Sequence, residues 1–338
     1  LAEDVRYYGE WMKQEAFKRI GHLYPKVKDE HGQEHTVIAW IWARTVKCPN
    51  PACGCEMPLA STFVLSKKKG KEAYIDPIID RNKVRYEVRY GKDAPKPPKI
   101  GRGANFRCVC CGQIAKGEYI RTQFTAKRAG VQLMAVVAEG KRGRLYISPN
   151  EQHIKTANCP LPEKKPEAEM NQKSSDLVSG RGYGFTYWYE LFTNRQLIAL
   201  TTFSDLIGEV QSEILTCNSN EQYAEAVAVY LAFAVDRQAN YSSMVNTWAG
   251  FITQTFGRQA IPMTWDFAET NVFSNSSGNW TGAIDWIVRC FNVYPLWSKN
   301  GKSLQHNAQE DNGLRDIMVS TDPPYYDNIC YADLSDFF

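Results

Sequence analysis

Between positions 73 and 90 the chain alternates apolar and polar residues in two runs, "AYIDPII" and "KVRYEVRY", on either side of Asp80-Arg81-Asn82-Lys83. Alternation with period two places successive side chains on opposite faces of a strand, and the polar tetrapeptide supplies a turn, so a β-hairpin is predicted. Further along, the period changes. In "FTNRQLIALTTFSDLIGEVQSEI", Thr193 and Gln196 have capping-box spacing, and Leu197, Leu200, Ile207, Val210 and Ile214 fall near one helical face. The next segment, "EQYAEAVAVYLAFAVDRQ", is apolar on most of its circumference and predicts a helix lying between other elements. A third helix is expected from near Trp280, carrying Ile284, Ile287 and Phe291. Residues 317–320, "IMVS", form an apolar run of strand length.

The segments between these patterns are polar. Residues 149–180 are proline-rich and charged, the composition of a linker or mobile loop. The loop "FGRQAIPMTWDFAETNVFSNSSGNW" holds Arg258, Trp265, Asp266 and Asn279, residues that suit a nucleic-acid groove and suit packing and capping equally well. The longest apolar run, "AVAVYLAFAV", is too short to span a bilayer. With 338 residues, 43% of them hydrophobic, the chain can build two or three cores. No charged-then-apolar leader opens it, which predicts a cytoplasmic protein without a membrane partner. The start at Leu1 and the ending "LSDFF" predict a piece of a longer protein.

Charge changes the picture locally. The net charge is +3, yet residues 64–107 hold 13 Lys and Arg against 5 Asp and Glu. Such a surface suits phosphate, and Lys67, Lys68, Lys69, Arg85 and Arg89 are the candidate nucleic-acid contacts. The alternative is a solvated hairpin whose lysines guard its edge. Two cysteine pairs flank the stretch: Cys48 and Cys53 in "CPNPACG", Cys108 and Cys111 in "CVCCG". Both spacings let a tight turn aim two thiolates at one tetrahedral zinc, and each pair ends in Cys-Gly, where glycine lets the turn close and frees an amide for a ligand sulfur. The predicted hairpin lets the chain leave and return to the metal. Cys55 and Cys110 are alternative ligands, and two disulfides or unrelated buried thiols are the alternatives to zinc, which a reducing compartment favours.

The run "TDPPYYD" follows residues 317–320 directly, so Asp322 is expected at the carboxyl end of a buried parallel strand, where open α/β sheets place ligands. Its residues suit attack on an activated methyl by the exocyclic amine of a base. That amine is a poor nucleophile because its lone pair is delocalised into the ring. Acceptors for both amino hydrogens favour a pyramidal nitrogen: the Asp322 carboxylate is one and the Pro323 carbonyl the other, held in a fixed turn by Pro323 and Pro324. Tyr325 offers a face on which a flipped base can stack.

Taken in order, the cysteine pairs, "LFTNRQLIALTTFSDL", "FGRQAIPMTWDFAE" and "STDPPYYDNICYADLSDFF" resemble the adenine-specific DNA methylases with an inserted zinc ribbon. The resemblance covers nearly the whole chain. It implies an S-adenosylmethionine-dependent amino-methyltransferase acting on DNA, with Asp322, Pro323, Pro324 and Tyr325 at the motif positions and zinc as a second cofactor. The family's cofactor loop, an aromatic residue followed by Gly-x-Gly, has no equivalent in residues 1–338, and neither do the strands after the motif. The expected architecture is therefore α+β: an N-terminal helical segment (1–35), a zinc-ribbon and β-hairpin insert (36–148), a linker (149–182), a helical insert region (183–310) and part of a Rossmann-like methyltransferase sheet (311–338). Such a chain is expected to be inactive alone. An amino-methyltransferase acting on cytosine N4 or an RNA base, and a zinc-ribbon nucleic-acid-binding protein without catalysis, are the alternatives.

Overall fold

The computed structural model describes residues 1–141, 143–172, 178–291, 293, 304, 306–307, 309–322 and 334–338. In chain order the elements are α1 (Ala2–Ile20), β1 (Val37–Lys47), β2 (Glu56–Pro58), β3 (Val64–Ser66), β4 (Ala73–Asp80), β5 (Lys83–Tyr90), β6 (Lys99–Ile100), β7 (Asn105–Arg107), β8 (Ile114–Ala115), α2 (Gly117–Thr125), β9 (Gly130–Gly140), β10 (Gly143–Ile147), α3 (Glu151–Ala157), α4 (Asn194–Cys217), α5 (Glu221–Asn240), β11 (Asp266–Thr270) and α6 (Trp280–Phe291). The chain is thus mixed α and β.

Strand β1 organises the rest. Its sequence, "VIAWIWARTVK", is β-branched and aromatic, and all but the last residue are buried, as for a strand covered on both faces. It pairs antiparallel with β9 on one side (Gly130 opposite Thr45, Ala138 opposite Val37), and β10 extends that side by pairing with β9. On the other side lie β11 (Asp266 opposite Ala43) and β2 (Val46 opposite Met57). One face of the sheet, with Trp40, Trp42 and Val136, packs on Met12 of α1, Phe203 and Val210 of α4, and Trp280 of α6. The opposite face, with Ile38, Ile41 and Val137, packs on the β3–β4–β5 meander through Leu65, Ile75 and Tyr86. A third cluster, with Met57, Phe106, Phe124 and Trp265, closes the end of β1.

The predicted hairpin is present as β4 and β5, with Asp80 opposite Lys83 and Arg81 at φ +55° in the turn. Helix α4 opens with a reciprocal capping box: the Gln196 amide donates to Thr193 Oγ1 (3.2 Å) and the Thr193 amide to Gln196 Oε1 (2.8 Å). Helix α6 begins at Trp280 with Ile284 buried. Other expectations differ from what is seen. Helix α5 buries an alanine-rich stripe but leaves Val229 and Phe233 about half exposed, because its partners α4, α6 and α1 all lie to one side. The linker expected from 149 contains α3, capped by Asn150, and its His153 is fully buried, taking a hydrogen bond from Trp40 Nε1 (2.9 Å). Residues 317–320 belong to no strand, and Ile317, Met318 and Val319 are exposed. The ladders between named strands are all antiparallel among the described residues, so no Rossmann-like parallel sheet is seen in 311–322. Helix α1, one face of β1 and β9, and the later helices pack in one cluster, and β11 completes the sheet begun by β1.

Candidate metal centre and basic face

Each cysteine pair sits in the loop of a short antiparallel hairpin. Cys48 and Cys53 follow β1 and precede β2, while Cys108 and Cys111 lie between β7 and β8. The loops close through backbone bonds, Cys48 N to Cys55 O and Cys108 N to Gln113 O, both 2.8 Å. Gly54 (φ +61°) and Gly112 (φ +79°) occupy the left-handed region where a side chain would be strained. The four sulfurs converge, with Cys48 Sγ 3.6 Å from Cys111 Sγ and Cys53 Sγ 3.9 Å from Cys108 Sγ. A tetrahedral site with Zn–S bonds of about 2.3 Å holds its sulfurs about 3.8 Å apart, so this donor set fits zinc. The amides of Asn50, Cys55 and Gln113 bond the sulfurs of Cys48, Cys53 and Cys111, as metal thiolates require. The Gln113 amide first, and the neighbouring thiols after it, bring the Cys111 thiol down to about 7, whereas burial pushes the Cys48 thiol up. Cys55 and Cys110 form a separate contact, 2.7 Å between sulfurs, and with Cys108 make a second, three-thiol group.

The candidate nucleic-acid residues divide into two sets. Arg85 and Arg89 are held on the outer face of the hairpin by carboxylates, Arg85 by Glu87 (3.1 Å) and Arg89 by Asp76 (2.8 Å) and Glu87 (3.4 Å). Lys67, Lys68 and Lys69 are exposed in the turn between β3 and β4, where Lys71 N bonds Lys68 O and Gly70 takes φ +76°. Lys67 and Lys68 line a cavity of about 860 Å³ together with Arg144 and Tyr146 of β10 and Trp248. Neither Arg144 nor Trp248 carries a local sequence signal: they lie far from the lysines along the chain and meet them only through the β10–β9–β1 ladder and the loop before β11.

Of the aromatic loop, Trp265 is buried against Phe106, Phe124 and Tyr183, Asp266 accepts from the Ser61 amide (2.8 Å), and Asn279 caps α6 through the Gly282 amide (2.9 Å); Arg258 is exposed. Packing and capping account for the first three. Asp322 is exposed, and Pro323, Pro324 and Tyr325 lie outside the described residues. No helix among the described residues is long and apolar enough to cross a membrane. Comparison with known protein families, curated proteins and solved structures finds no match to this chain.

Proposed function

We propose that this chain is a segment of an S-adenosylmethionine-dependent DNA amino-methyltransferase, acting on adenine N6, whose β-rich part is a zinc ribbon held by Cys48, Cys53, Cys108 and Cys111. The observation that carries the reaction class is the run Asp322-Pro323-Pro324-Tyr325, which supplies two acceptors for an exocyclic amine and a ring for its base. Zinc acts structurally: four thiolates leave it no open position for water or substrate, and it ties together two hairpins. The exposed lysines at 67–69 contact the DNA backbone, and when bound S-adenosylmethionine supplies the methyl group. A second reading, a zinc-ribbon nucleic-acid-binding module without catalysis, draws on the exposed, irregular backbone at residues 317–322.

The test is transfer of labelled methyl groups from S-adenosylmethionine to DNA by the intact gene product, followed by nucleoside analysis. Asp322→Ala is expected to abolish transfer while leaving cofactor binding, because the carboxylate acts on the amine and not on the methyl donor. Tyr325→Phe retains most of the rate and Tyr325→Ala loses more. An Asp322→Ala enzyme at the wild-type rate overturns the site. N4-methylcytosine as product keeps the chemistry and removes the adenine assignment.

A further inference from the structure

The cavity between the lysine turn and the β10 strand gathers four cations, where the cavities lined by Arg237 and by Arg85 hold one each. Lys67, Lys68, Lys71 and Arg144 line it, and among the described residues no carboxylate does. The cavity of about 390 Å³ beside α2, by contrast, sets Lys116 next to Glu118. Like charges gathered around one concavity repel each other and focus a positive field into it, so the site favours an anion. Its floor is aromatic. Trp248 Nε1 donates to the Leu65 carbonyl (2.9 Å), which satisfies the ring's only donor and fixes its plane. The Arg144 guanidinium sits 5.1 Å from that ring's centroid and is held there by a hydrogen bond to the Gly250 carbonyl. Tyr146 meets Trp248 edge to face at 6.4 Å. The loop carrying Trp248 is itself braced, with Thr253 N bonded to Thr247 O (3.0 Å) and Ala249 N to Phe251 O (2.9 Å). A volume of about 860 Å³ lies within the range of sites that enclose a small ligand.

We infer that this cavity takes one nucleotide of a single-stranded nucleic acid, with phosphate against Lys67, Lys68 and Arg144 and the base on the Trp248 face. The inference rests on the nucleic-acid reading given above. Cations beside a flat ring match the two halves of a nucleotide, and a base is free to stack on protein only where it is not stacked within a duplex. The cavity therefore selects an unpaired stretch, such as the strand around a flipped base.

The experiment is fluorescence anisotropy of the 338-residue chain with a fluorescein-labelled oligo-dT, the same label on a duplex, and competition by deoxythymidine monophosphate. Trp248→Ala is expected to weaken oligo-dT binding about tenfold and to leave the duplex unchanged, with Trp248→Phe recovering most of the loss. Lys67→Glu with Lys68→Glu, both at exposed positions that do not threaten folding, is expected to flatten the salt dependence by about 0.7 for each phosphate that the two side chains no longer neutralise. Unchanged oligo-dT affinity in both variants, with duplex still bound, overturns the cavity assignment and leaves DNA binding standing. Absence of binding to either DNA overturns both. Mononucleotide binding as tight as the oligonucleotide makes this a free-nucleotide site and overturns the strand assignment.

Discussion

A thiol must lose its proton to bind zinc, and the four converging cysteines differ in how readily they do so. Cys111, with its sulfur bonded by the Gln113 amide, ionises near 7; Cys48, more deeply buried, resists until a metal replaces its proton. Cys111→Ser is therefore expected to remove the zinc, one equivalent per chain in the wild type, whereas Cys55→Ser and Cys110→Ser retain it. Elemental analysis checks this, and a full zinc equivalent in Cys111→Ser would rule out the ligand set. His153 gives a pH-dependent prediction. Burial, with the nearby Arg195 charge second, lowers its folded-state value from 6.5 to about 4, while Trp40 Nε1 donates to its neutral ring at 2.9 Å. The unfolded chain binds the extra proton first, so this contribution to stability is present above about 6.5 and lost as pH falls toward 4. Denaturant midpoints of wild type and His153→Gln are expected to converge over that interval; parallel curves would show that His153 does not titrate there.

At the scale of elements, a capping box, an alternating hairpin and a chelating spacing survived folding, whereas the apolar run at 317–320 and signals that depend on distant partners did not. Helix α4 was legible because its capping box and its apolar face lie within a few turns of each other. The β4–β5 hairpin was legible because its two runs alternate and adjoin. Both cysteine pairs were legible because chelation has a local spacing, and their convergence is found in the folded chain. Strand β11 was not: "DFAET" is short and carries two acids, and it is a strand only because β1 lies beside it. The chemistry joining these elements was equally hidden. Arg195 at the start of α4 is fully buried, pairing with Glu269 of β11 (2.6 Å), donating to the Leu23 carbonyl (3.0 Å) and lying 3.7 Å from the Trp40 ring centroid. Thr193 serves this network as well as the helix, since its hydroxyl donates to Glu269 Oε1 (2.7 Å). Thr193→Ala should cost about 1 kcal/mol for the cap and about 1.5–3 more for a hydrogen bond to a charged group. Thr193→Ser, which keeps both, should cost a small fraction of that. Chemical denaturation measures the difference, and a Thr193→Ala cost no larger than a cap alone would separate the hydroxyl from the carboxylate.

Across the whole molecule, the first and last parts of the chain complete each other. Helix α1 and strands β1 and β9 come from before residue 149, and α4, α5, β11 and α6 from after 182, yet they bury one set of side chains between them. Several bonds cross the same boundary: Trp280 Nε1 donates to Gly9 O (2.7 Å), Trp42 Nε1 to Glu269 Oε2 (2.9 Å) and Asn271 Nδ2 to Val37 O (2.7 Å). Cutting the chain between the two parts leaves every one of these bonds in place and costs only the entropy of the connection, which changes slowly with its length. A protease site inserted after Glu163, in an exposed stretch, should therefore yield two fragments that elute together in native buffer and separate only in denaturant. Size exclusion before and after cleavage reads the outcome. Fragments that part in native buffer would mean that the two halves fold as independent units joined by a linker, and that the sheet shared by β1 and β11 contributes little to holding them together.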